Sequence, residues 1–313
     1  MRSALVLGPS LVMACLVAAA ACSDSGSGNT SSGGPGENES GTDAPFDPTR
    51  DAAKDTSTIG DAGTDVEEPL IVQTEVEPNN GTPEVGNMKL AGVMNGKIDP
   101  ANDIDIFAID IAPGDFWEWT AQPTTADLAP LITVFDTAPN TLNPTAIGYS
   151  AAGAPAKLQH FVLRPGTFVV AMRDARNRAP SQNKGGPTYG YALTGKHRAP
   201  QPVSVTFPAK KTGKLASLGS VDLYTFTGTG GKGWDININA ARKVPASTLD
   251  SRLSLFDLPA KKGLITNDNI SATITDSQIG SPDPFPSTYM VIVDNEGTND
   301  ADLSYEIEFK LRP

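Results

Sequence analysis

The chain has 313 residues, 39% of them hydrophobic, with 30 glycines, 26 prolines and a formal charge of −12. That length holds about two ordinary domains beside the tails, and short apolar runs broken by turn residues favour all-β over helical architecture. No basic cluster of useful size occurs, which excludes a nucleic-acid ligand, since a phosphate backbone needs a cationic surface.

Residues 1–22 read as an export signal. Arg2 supplies the positive start, Ala4 to Val17 the apolar stretch, and Ala19-Ala20-Ala21 the small residues before cleavage. The apolar stretch is too short for a permanent span. The tripeptide followed by Cys22 resembles the lipobox of bacterial lipoproteins, although Ala19 stands where Leu is usual. The resemblance implies lipidation at Cys22 and membrane attachment through the lipid alone. Ser23, in place of a retention Asp, points to the outer membrane or the cell surface. Cys15 leaves with the signal, so one cysteine remains and no intramolecular disulfide can form.

Residues 23–70 carry 11 acidic side chains against Arg50 and Lys54, and only scattered large apolar ones. Such a segment cannot bury enough surface to offset chain entropy, and the expectation is a disordered acidic Ser/Gly-rich tether. As a flexible coil it spans about 40 Å.

From Ile71 the chain repeats itself in four ordered blocks. NDIDIFAIDI at 102–111 aligns with GSVDLYTFTG at 219–228, and LITVFD at 131–136 with LSLFD at 253–257. RPGTFVVAMRD at 164–174 aligns with FPSTYMVIVDN at 285–295, and YGYALTGK at 189–196 with LSYEIEFK at 303–310. The expected architecture is two tandem β-sandwich, jelly-roll-like domains, 71–197 and 198–313. Strands of the first are expected near 89–98, 103–111, 115–121, 131–136, 145–149, 157–163, 166–173 and 188–196. Phe168, Val170 and Met172 alternate onto one face. Trp117 and Trp119 also share a face, and the repeat places Trp234 and Ile236 there, which marks a core face rather than a sugar-stacking platform.

These blocks resemble the bacterial pre-peptidase C-terminal domain. The first unit carries its four motifs as EVEPNN (75–80), DIDIF, LITVFD and PGTFVV; the second keeps the last three as SVDLY, LSLFD and PSTYMV. The resemblance implies a non-catalytic extracellular module whose usual upstream peptidase is replaced here by signal and tether.

Calcium seeks six to eight oxygen ligands. Glu75 and Glu77 alternate onto one side of an extended segment that Pro78 keeps out of helix, and Asn79 and Asn80 add amide oxygens at a turn. Asp105 and Asn102 come from the next long strand and the loop before it, with Asp99 and Asp103 nearby. Similarity to clostridial collagen-binding modules implies the same six residues as calcium ligands, in the first domain only. Collagen binding itself does not carry over, because among the aromatic positions those modules use only Tyr149 has a counterpart.

No catalytic motif appears. His160 and His197 lack metal-ligand spacing, and GYSAA at 148–152 lacks the last glycine of a nucleophile elbow. Asp103 with Asp105 is a carboxylate pair without other support for glycoside cleavage. The sequence therefore points to a non-enzymatic, surface-anchored binding or adhesion lipoprotein for an extracellular polymer. The alternative is a structural or accessory factor for assembly or secretion of another envelope protein or exoenzyme.

Overall fold

The structure, a computed structural model, describes residues 71–76, 92–136, 144–179, 182–228, 230–271, 273–281, 286–297 and 301–312. Cys22, the tether and Glu77, Asn79 and Asn80 lie outside the described residues.

The first sandwich comprises β1 (Ile71–Thr74), β2 (Gly92–Lys97), β3 (Asp105–Ile111), β4 (Phe116–Pro123), β5 (Pro130–Asp136), β6 (Pro144–Tyr149), β7 (Ala156–Phe161), β8 (Gly166–Asp174) and β9 (Gly190–Arg198). The second comprises β10 (Val203–Ser204), β11 (Ala209–Lys214), β12 (Asp222–Gly228), β13 (Trp234–Asn239), β14 (Ser251–Asp257), β15 (Lys262–Asn267), β16 (Gln278–Ser281), β17 (Ser287–Asn295) and β18 (Ser304–Leu311).

Sheet orders are β1-β2-β9-β4-β7 facing β3-β8-β5-β6, and β11-β18-β13-β16 facing β10-β12-β17-β14-β15. With β1 and β10 set aside, both copies have the same eight-stranded double-sheet order, a jelly roll. Alternation supplies each core. Phe107, Ile109 and Ile111 from β3 meet Phe168, Val170 and Met172 from β8, and Trp117 and Trp119 pack beneath them with their rings 5.5 Å apart. In the second copy Tyr224 and Phe226 meet Tyr289, Val291 and Val293.

The copies differ in their opening strand. β1 pairs parallel with β2, whereas β10 pairs parallel with β12, on the opposite sheet. Chain length explains the switch. A parallel neighbour requires a connection of roughly a dozen residues or more. Between Thr74 and Gly92 lie 17 residues, but between Ser204 and Ala209 only four. The short connection cannot return β10 alongside β11, so it crosses the rim and leaves β10 on the other sheet.

A third apolar cluster joins the sandwiches. Phe116 and Phe161 from the first pack against Leu223, Phe256, Met290 and Ile292 on the outer face of β12, β14 and β17. β17 is consequently buried on both sides, as its unbroken run YMVIV suggests. Backbone bonds frame this seam: Gln159 N–H donates to Gly219 O (2.6 Å), and Gly263 N–H to Leu163 O (2.8 Å). The Gln159 side-chain oxygen accepts from Val221 N–H at 2.9 Å. Edge strands β7 and β15 are thereby occupied rather than left open to other chains. Gly219 is needed for the approach, since a Cβ there would lie 2.5 Å from Lys157 O.

Candidate metal centre at the start of the first sandwich

A tyrosine–aspartate clasp recurs in both copies. In the second, the Tyr305 hydroxyl donates to Asp222 Oδ2 and lies 2.9 Å from the Tyr224 hydroxyl. One carboxylate and two hydroxyl protons make a satisfied chain. Burial pushes the Tyr305, Tyr224 and Asp222 groups all upward, and for Asp222 the Tyr305 hydrogen bond acts against that rise.

In the first copy the Tyr191 hydroxyl lies 2.6 Å from Asp105 Oδ2 and 3.1 Å from Glu75 Oε2. Phe107 replaces Tyr224 and brings no hydroxyl. The third place is taken by Glu75, just beyond β1, whose Oε1 also accepts from Lys97 N–H. Two carboxylates thus converge on a hydroxyl with a single proton. Burial, then Asp105, then Glu75 hold the Tyr191 hydroxyl well above its ordinary range. Asp105 is fully buried.

Both clasps depend on a glycine. A Cβ on Gly96 would lie 2.4 Å from the Tyr191 hydroxyl, and one on Gly213 would lie 2.4 Å from that of Tyr305. Glycine lets each ring pass over the backbone of the neighbouring strand. These two residues are a functional pair that the motif reading did not single out, although GKI at 96–98 and GKL at 213–215 align.

Of the six expected calcium ligands, then, Glu75 and Asp105 come together. Asn102 has φ 66°, in the left-handed region that Asn tolerates, and its amide donates to Asn183 Oδ1 at 2.7 Å. Asp103 is engaged in the loop, accepting from the backbone N–H of Asp99 and of Ile104 at 2.9 Å each. Among the described residues no group of three or more acidic, His or Cys side chains is arranged to hold a metal ion. The oxygen-only chemistry of Glu75 and Asp105 suits calcium. The repeat shows that Asp105 already has a structural task in the clasp, which makes Glu75 the residue peculiar to the first copy.

The other buried acids are structural. Asp174 accepts from Ala129 N–H and Arg176 N–H and pairs with the Arg176 guanidinium at 2.6 Å. Asp276 accepts from Ala240 N–H (2.7 Å) and Ala241 N–H (2.8 Å) and pairs with Arg242. Asp136 pairs with Arg164. His197 packs against Trp117 with the ring planes tilted by 46° and lies 3.4 Å from Asp115. His160 is buried on β7 against Phe168, and its Nε2 has no hydrogen-bond partner among the described residues.

No family model matches the chain, and no curated protein matches it either. Several solved structures match it at low similarity. The pre-peptidase C-terminal domain of a Bacillus anthracis collagenase is 16% identical, with a TM-score of 0.30, over 37% of this chain and 100% of that one. The PBSX exported protein XepA is 11% identical, TM-score 0.26, over 73% of this chain and 88% of that one. The CUB1-EGF-CUB2 region of human MASP-1/3 is 6% identical, TM-score 0.22, over 72% of this chain and 100% of that one. At these scores none bears on the chemistry of the site. Among the described residues no helix is long and apolar enough to cross a membrane.

Proposed function

We propose that the chain is a non-catalytic binding module, exported and lipid-anchored at Cys22, that holds two pre-peptidase C-terminal-like sandwiches off the outer membrane or cell surface to engage an extracellular polymer. The observation that carries this reading is the seam. Six side chains from both sandwiches form a shared core, which makes the pair a single rigid head suited to display. The pairing of Asp136, Asp174 and Asp276 with arginines agrees with a scaffold role for the buried charge.

The test is a glycan and matrix array probed with the chain. Saturable binding to one polymer class is expected. Recovery of a single envelope protein instead, with no polymer bound, moves the function to the accessory reading.

Calcium is proposed for the first sandwich alone, held by Glu75, Glu77, Asn79, Asn80, Asn102 and Asp105. It would fix the opening strand at the rim by offsetting the two carboxylates at Tyr191. At a calcium level about ten times a weak extracellular dissociation constant the gain is only about 1.4 kcal/mol. Adding calcium after EDTA should raise the melting temperature by about 3–5 °C. The Glu75→Ala/Glu77→Ala variant should show no such rise. Identical melts of the unsubstituted chain with and without calcium remove the ion from the account.

A further inference from the structure

The duplication shows what fits an edge that, among the described residues, the first copy leaves open. In the second sandwich β12 is covered on its outer side by β10: Val203 and Ser204 pair with Tyr224 and Thr225, and Val205 N–H donates to Thr225 O at 2.8 Å. Val205 then drops into the second core, 5% exposed. Thr225 pairs with Met290 in β17, and its repeat counterpart Ala108 pairs with Val169 in β8. The registers are therefore equivalent, and Ala108 turns its N–H and C=O outward as Thr225 does. Ile106 and Asp110, two residues away on either side, do the same, since backbone direction alternates with period two.

Among the described residues no strand covers this side of β3, because β1 has gone to the other sheet. The apolar side of that strand waits at the same rim. Gln73 is in register with Met94, a core residue, so Ile71 also faces inward, yet Ile71 is 50% exposed. A strand laid on β3 would stand opposite it.

We propose that the β3 edge, Ile106 to Asp110, is a docking site for an extended, uncharged, β-branched segment of a partner protein, received in parallel as Val203–Val205 is received by β12. The backbone of Ala108 supplies the hydrogen bonds, and the third residue of the incoming segment enters the rim beside Ile71, as Val205 enters the second core. Main-chain pairing gives affinity and the alternate side-chain position gives selectivity. This goes beyond the polymer-binding reading and stands whether or not that reading fails.

The probe is a synthetic peptide with the sequence of residues 201–207, QPVSVTF, added to the full chain. In the free protein the Ala108 amide should exchange at least about ten times faster than that of Thr225, which lies between two strands. Saturating peptide should slow exchange at Ala108 by at least about tenfold. Ala108→Pro removes the outward donor at a position where proline leaves the β8 ladder intact, and it should abolish peptide binding with little change in melting. Should that variant fail to fold, the exchange of the unsubstituted chain decides alone. The proposal is overturned by an Ala108 amide already as slow as Thr225 in dilute protein, by no saturable peptide binding, or by binding that survives Ala108→Pro. Slowing of Ala108 with protein concentration alone would also overturn it, because the edge would then be filled by a second copy of the chain.

Discussion

Phe256→Ala should cost about 3–5 kcal/mol and split one unfolding transition into two. Phe256 is completely buried, and its ring meets that of Phe161 edge-on with centroids 5.1 Å apart. Strand alternation puts Leu253 and Leu255 into the second core and turns Phe256 out of it, onto the first sandwich. Removing the ring leaves a cavity among Phe116, Leu223, Met290 and Ile292, which weakens the seam but neither separate core. The two sandwiches should then melt separately. Calorimetry reads the outcome: one transition, lowered by less than 1 kcal/mol, would mean that the seam does not couple the two. Phe135 at the equivalent position of the first copy is only half-buried, and its truncation should cost much less.

Much of this architecture was legible from alternation. The expected strand at 166–173 is β8 at Gly166–Asp174, and that at 131–136 is β5 at Pro130–Asp136. Repeat arithmetic also placed Trp117 and Trp119 in a core, where both are 2% exposed. The opening strands escaped because IVQT and VS are too short for any period to show. The sheet that each joins is set by connection length rather than by its own residues. The seam left a trace, since Met290 and Ile292 are apolar on what should be the solvent face of β17. Reading that trace requires knowing which neighbour covers them.

The candidate site was legible only in part, for a related reason. EVEPNN announces oxygen ligands, and Asp105 aligns with Asp222, but the partner that unites them is a tyrosine 86 residues further on. Tyr191 and Tyr305 were matched as a strand signature without any role. Gly96 and Gly213 complete the arrangement, and a lone glycine in a strand rarely declares what passes over it. The clasp is a long-range device whose members each look ordinary in their own stretch. Its first copy differs from its second by one exchange, the Tyr224 hydroxyl for the Glu75 carboxylate. That exchange is what ties the end of the opening strand to the domain.

Acid should unfold the chain earlier than its carboxylates alone would require, because of His160. Burial, followed by the nearby Arg252 charge, lowers its pKa to about 4, while Asp136 pulls it slightly the other way. The groups that face it are Arg252 from β14, held to Asp294 at 2.8 Å, and Arg164, paired with Asp136. The ring is therefore neutral in the fold, and the unfolded chain takes up a proton near pH 6.5. A folded pKa below the unfolded one means that the contribution is fully present above about pH 6.5. It then falls as pH drops towards 4, by about 1.4 kcal/mol per unit and about 3 kcal/mol in all. Arg252 also donates to Thr145 O across the seam at 2.6 Å, so a proton on His160 would place a second positive charge beside a cross-seam contact. His160→Phe fills similar volume and cannot titrate. Between pH 7 and pH 4.5 the unsubstituted chain should lose about 2 kcal/mol more than this variant, a difference that removes the shared carboxylate terms. Equal losses in denaturant titrations, or a ring that titrates by NMR near 6.5 in the folded protein, would show that His160 reaches water and carries no such cost.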